Sequence, residues 1–136
     1  MNRQFEQKLY KDFPGLYRQK DLPMTHTCMN WGIETNGDGW NGLIYELSEK
    51  IVAMDPEVQA VQVKEKFGGL RFYTGPCDES TYDKVQDLID EYVEISYHTC
   101  EECGSTEDVK QTQGGWIVTL CPVHLKERYN ARGEYV

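Results

Sequence analysis

No hydrophobic run in this chain approaches the roughly 20 residues that a bilayer-crossing helix needs. The polar start Met1-Asn2-Arg3-Gln4 also lacks the apolar stretch of a secretory signal. Both absences predict an intracellular, cytoplasmic protein that makes no membrane contact. Basic residues are scarce as well. Against 23 acids stand 14 lysines and arginines, for a net charge of −9. Phosphate backbones are held by a basic face, so direct nucleic-acid binding is not expected. Cysteines are few and odd in number, 5 in 136 residues. In a reducing compartment that argues against a disulfide framework. Repeats and low-complexity segments are lacking too, which leaves room for one modest core and little else.

Three of the five cysteines fall in a pattern with chemical meaning. Cys100-Glu101-Glu102-Cys103-Gly104 is followed, after 16 residues, by Cys121-Pro122-Val123-His124. Two paired steps of thiolate and imidazole donors are the spacing of a structural zinc site, with Gly104 supplying the tight turn. Four good protein ligands close the tetrahedron, so the expected Zn²⁺ is structural and not catalytic. Cys28 and Cys77 remain outside the pattern.

Periodicity divides the rest. Phe5, Leu9 and Phe13 predict a short N-terminal helix stopping at Pro14-Gly15, and residues 18–37 read as a loop. Asp38 is placed to cap a helix over about 39–54, whose face is Trp40, Leu43, Ile44, Leu47, Ile51 and Met54, with Asp55-Pro56 ending it. From residue 61 the pattern turns to strand. A hairpin is expected with Gly68-Gly69 as its turn, pairing Phe67 with Leu70, Lys66 with Arg71, Glu65 with Phe72 and Lys64 with Tyr73. Val61, Val63, Phe67, Leu70 and Phe72 then share an apolar face, on which Glu65 is out of place. A second amphipathic helix is expected over 80–97, with Tyr82, Val85, Leu88, Ile89, Tyr92 and Val93 as its stripe. Residues 109–112 and 116–120 suggest a further hairpin around Gly114-Gly115, and Pro122 suits the first turn of a terminal helix to about Asn130. The expected fold is α+β, a β-hairpin packed by two amphipathic helices over residues 1–98, plus a treble-clef-like zinc module over 99–136.

Gly37-Asp38-Gly39-Trp40, the string from Val63 to Tyr73 (VKEKFGGLRFY) and the C-terminal Cys-x-x-Cys…Cys-x-x-His together resemble a family of small bacteriophage and prophage proteins. The likeness spans about residues 30–125. It implies a phage or bacterial origin, an intracellular setting and bound zinc. Small phage proteins of this kind often bind and inhibit host machinery, so it also implies an accessory or inhibitory role. No catalytic residues come with it.

Charge is unevenly spread. Net charge is −1 over residues 1–77, −10 over 78–108 and +2 over 109–136. Asp83, Asp87, Asp90, Glu91 and Glu94 lie on one side of the second helix, a row of carboxylates suited either to solvation or to docking on a basic partner, such as a host nucleic-acid enzyme or defence component. Lys64, Lys66 and Arg71 with Tyr73 form a basic strand face that could hold an anion, protect an edge, or pair with the acidic helix. Asn36 to Gly42 is Gly-rich and opens a helix, but lacks the preceding strand and the Lys-Ser/Thr of a phosphate loop. His98 is read as a helix C-terminal residue, with a substitute zinc ligand or a hydrogen-bond donor to a zinc thiolate as the alternatives. A small enzyme using His26, Cys28 and Asp38, or a self-associating adaptor, are the alternatives to a non-enzymatic binding protein. The sequence leaves the oligomeric state open.

Overall fold

A computed structural model describes residues 1–131. Helix α1, Arg3–Asp12, starts where the Asn2 side chain accepts the Gln4 and Phe5 amides at 2.8 and 3.4 Å. It buries Leu9 and Tyr10, and Phe13 closes it against Tyr45, their ring centroids 4.9 Å apart. The segment expected to be loop contains two short 3₁₀ turns, Arg18–Asp21 and Met29–Trp31, and strand β1, Ile33–Glu34. A strand of two residues has no alternation to betray it, so only its pairing reveals it.

Helix α2, Asn41–Met54, starts two residues later than periodicity suggests, with Trp40 in the cap position and no side-chain cap. Asp38 is therefore not the side-chain cap. Its carboxylate instead accepts the Asn2 amide at 2.9 Å and the Asn41 amide group at 3.2 Å. Ile44, Leu47, Ser48 and Ile51 are buried. Within this first turn Gly42 is exposed, and a Cβ there would meet nothing within 4 Å. Gly42→Ala is expected to stabilise the protein by about 0.5–1 kcal/mol, because it only narrows the unfolded ensemble. A rise in the urea midpoint with unchanged slope is the check.

Strand β2, Ala60–Lys66, pairs parallel with β1, Ile33 opposite Val63, and antiparallel with β3, Gly69–Thr74, giving a three-stranded sheet ordered β1-β2-β3. The register corrects the sequence reading: Lys66 faces Gly69, Glu65 faces Leu70, Lys64 faces Arg71, Val63 faces Phe72 and Gln62 faces Tyr73. The turn residues are Phe67 and Gly68, at φ 55° and 82°. Two successive positive φ values match the twist of a tight hairpin, but a bulky L-residue in that region is strained by about 1–2 kcal/mol. A break in the ladder between Ala60 and Gln62 turns Ala60 fully inward and leaves Val61 only half-buried. Phe67, expected on the apolar face, is 56% exposed.

Helix α3, Glu79–Ser96, is capped by Asp78, whose carboxylate accepts the Ser80 amide at 2.9 Å. Val85, Ile89 and Tyr92 face inward, with Leu88 and Val93 half-buried beside them, whereas Tyr82 is exposed. The helix packs on α2 and β3. These inward faces join Leu16, Tyr17, Met29, Trp40 and Leu70 in one core, where each full apolar side chain contributes about 1.5–3 kcal/mol. A separate small cluster forms from Cys100, Val118, Leu120 and Cys121. Around it lie β4, Lys110–Gln111, pairing antiparallel with β5, Thr119–Leu120, and helix α4, Pro122–Ala131. Residues 132–136, counted with this module in the sequence reading, lie outside the described residues. Among the described residues, no helix is long and apolar enough to cross a membrane.

Candidate metal centre

Cys100 follows the end of α3, and its carbonyl accepts the Gly104 amide at 2.9 Å, closing the turn that brings Cys103 round beside it. Gly104 sits at φ 80°, the left-handed conformation that the turn demands. Cys121 immediately precedes α4, and His124 lies on that helix's first turn, so both face the knuckle. The four ligand atoms all lie within 4.8 Å of one another. Cys103 Sγ is 3.8 Å from Cys121 Sγ, and His124 Nδ1 is 3.7 and 3.2 Å from the sulfurs of Cys100 and Cys121.

These separations decide between uses of the thiols. A disulfide needs sulfurs about 2.05 Å apart, whereas thiolates about 2.3 Å from a shared tetrahedral ion stand nearly 4 Å from each other. The donor set fits a divalent ion bound by three sulfurs and one nitrogen. Burial pushes the Cys121 thiol up, but the amides of His124 and Val123 and the neighbouring thiols outweigh it and bring it below its ordinary value. The Ser105 amide lowers Cys103, yet burial and the two adjacent thiols together raise it. Three sulfurs this close cannot all ionise without a cation among them. The far ring nitrogen of His124 points toward Glu127, 3.9 Å away. His98 is not part of the set; it is exposed in the turn just past the end of α3, 3.2 Å from Glu94.

The knuckle is seated on the Gly-rich string that precedes α2. The Gly39 amide donates to the Glu101 carbonyl at 2.8 Å, and the Trp40 indole donates to the Thr99 carbonyl at 2.9 Å. Trp40 is 1% exposed, so it anchors the main core and fixes the cysteine turn at once. Glu101, between the first two ligands, is 2% exposed. Its carboxylate accepts the Thr119 amide at 2.7 Å and the Asn36 side chain at 2.9 Å. Asn36 also donates to Glu65, which accepts the Gly68 amide at 3.1 Å. Burial pushes the Glu101 carboxyl up to about 7, against the lowering effect of the Thr119 amide, and Glu65 raises it further. Thr119 completes the link through its hydroxyl, which donates to the Gly68 carbonyl at 2.6 Å.

Glu65 is thus inward-facing because the apolar face of the sheet ends at this polar junction. Its position on that face was the sequence signal, while Asn36 and Glu101 carried none beyond proximity to motifs. Glu101→Ala leaves the Thr119 amide buried without its acceptor and is expected to cost about 2–3 kcal/mol. Glu101→Gln keeps an acceptor and should cost less than half as much. Denaturant unfolding of the two variants side by side provides the measurement.

The acidic residues Asp83, Asp87, Asp90, Glu91 and Glu94 are all exposed, on the side of α3 away from its buried stripe. Among the described residues, only Glu94 has a basic neighbour, His98. The basic face does not pair with this helix. Lys64, Lys66 and Arg71 form no ion pair among the described residues; Arg71 donates to the Tyr97 hydroxyl at 3.3 Å, and Tyr73 is 48% exposed. His26, Cys28 and Asp38 are each exposed and share no hydrogen bond. The chain matches no family model, no curated protein and no solved structure.

Proposed function

We propose that Cys100, Cys103, Cys121 and His124 hold a structural Zn²⁺ in a treble-clef-like module, and that the chain is a non-enzymatic cytoplasmic accessory protein of phage or bacterial origin. The observation that carries the reading is the closed donor set, with four protein ligand atoms converging within 4.8 Å. A catalytic zinc keeps a position open for water or substrate, whereas a closed one holds chain segments together. Its work here is to clamp the knuckle onto Gly39 and Trp40 in a segment with too few apolar residues to fold alone.

The outward face of α3 is the surface that engages a partner. Asp83, Asp87, Asp90, Glu91 and Glu94 are exposed, and the first four have no cation neutralising them among the described residues. The partner is a protein with a basic surface, such as a host nucleic-acid enzyme or defence component, which the acidic row blocks by occupying its phosphate-binding groove. Metal-loaded wild type and the charge reversal Asp87→Lys, Asp90→Lys, Glu94→Lys are the pair to compare in capture from bacterial lysate. A specific partner held by wild type and lost from the reversal supports the reading. The same partners on both proteins would refute it.

A further inference from the structure

A groove of about 330 Å³ opens between the sheet and the loop joining β4 to β5, with Lys64, Glu65, Lys66 and Phe67 on one wall and Trp116 on the other. Two features of its rim work against stability. Phe67 occupies a positive-φ turn position that Asn or Gly would fill with less strain, and its ring is 56% exposed. Trp116 follows Gly114-Gly115 and is 63% exposed. Neither ring is placed there by the core, and both face the same space. Strain held at a surface position with an exposed ring directs attention to what that ring contacts.

The charges of the groove restrict its occupant. Lys64 and Lys66 have no carboxylate partner among the described residues, so an anionic group can be received there. Glu34 and Glu65 line the same groove and cancel the excess, which disfavours a long polyanion and favours a ligand with one anionic group. The Glu65 oxygens are already engaged by the Asn36 side-chain amide and the Gly68 N–H, which leaves the Asn36 carbonyl oxygen on the lining to accept from a ring amine, a pairing that carboxamides make with base edges. The exposed rings suit stacking on a planar heterocycle. The volume falls at the lower end of small-ligand pockets. From these we infer that the groove is a binding site for a free mononucleotide, its base against Trp116 and Phe67 and its phosphate at Lys64 and Lys66. The inference does not depend on the acidic face of α3.

The test titrates the full, metal-loaded chain with AMP, CMP, GMP and UMP by calorimetry, with inorganic phosphate and a single-stranded tetranucleotide as comparison probes. At least one mononucleotide is expected to bind saturably with Kd below about 1 mM, more tightly than phosphate or the tetranucleotide. Trp116→Ala and Lys66→Gln should each weaken it at least 10-fold with metal content unchanged, while Lys126→Gln on α4 should not. Phe67→Asn separates the site from the fold: it should raise Tm by about 3 °C and still weaken binding. No saturable binding by any of the four, binding indifferent to these variants, or tighter binding of the tetranucleotide would overturn the inference.

Discussion

Gly39→Ala is expected to cost about 3 kcal/mol or more, one of the largest losses available from adding a single methyl group. A Cβ at this position would lie 2.0 Å from the Cys100 carbonyl oxygen, 2.6 Å from the Glu101 carbonyl carbon and 2.7 Å from the Gly104 nitrogen. All three are backbone atoms of the Cys100–Gly104 turn, so no side chain can rotate away to make room. The knuckle and the start of α2 would have to separate, losing the Gly39 to Glu101 hydrogen bond and drawing the Trp40 indole from Thr99. The contrast with Gly42→Ala, three residues on and in open space, makes the comparison sharp. Urea unfolding of both variants measures it, and a Gly39→Ala protein within about 0.5 kcal/mol of wild type would show that the two segments do not meet in this way.

Loss of the metal is expected to have the larger consequence for the C-terminal third. Small zinc modules hold their ion with roughly 10–16 kcal/mol at neutral pH, and that binding free energy is their folding free energy. The apolar cluster available here, Cys100, Val118, Leu120 and Cys121 with Val109 and Leu125 at its margin, is too small to replace it. Chelation, or Cys121→Ser, should therefore melt β4, β5 and α4, while Leu9, Ile44, Val63 and Ile89 keep the main core. Protons compete with the metal for thiolates and imidazole, so acidification should produce the same state and a return to neutral pH with metal should reverse it. Far-UV circular dichroism and alkylation of the released thiols follow the change. Cys28→Ser leaves the donor set intact and should alter nothing. Retention of C-terminal hydrogen-exchange protection after chelation would contradict this.

The donor set is legible in the sequence because its spacing is local: two pairs, each with its ligands three residues apart, need only a turn or a helix start to converge. Helices α1 and α3 are legible for a similar reason, since their buried faces recur at a period that the chain itself displays. What escapes is long-range. Ile33 and Glu34 become a strand only because β2 lies beside them, 30 residues later in the chain. The turn moves from Gly68-Gly69 to Phe67-Gly68 because the two glycines have different tasks. Gly68 takes the positive φ, whereas a Cβ on Gly69 would strike the Tyr97 ring at 2.4 Å. Asp38 has the look of a helix cap, but its neighbours Gly39 and Trp40 are committed to the cysteine turn some 60 residues on, which delays α2. The Gly-Asp-Gly-Trp string thus reads as a helix start from sequence and serves as the seat of the cysteine turn in the fold.

As proposed, one zinc ion, bound by Cys100, Cys103, Cys121 and His124, locks the two parts of the chain together. X-ray absorption at the zinc edge of the purified protein, with metal content measured on the same sample, tests it most directly. One zinc per chain is expected, with three sulfurs at about 2.3 Å and one nitrogen at about 2.0–2.1 Å. A chain that carries no stoichiometric zinc, or whose zinc keeps a water or carboxylate oxygen in its coordination sphere, would contradict it.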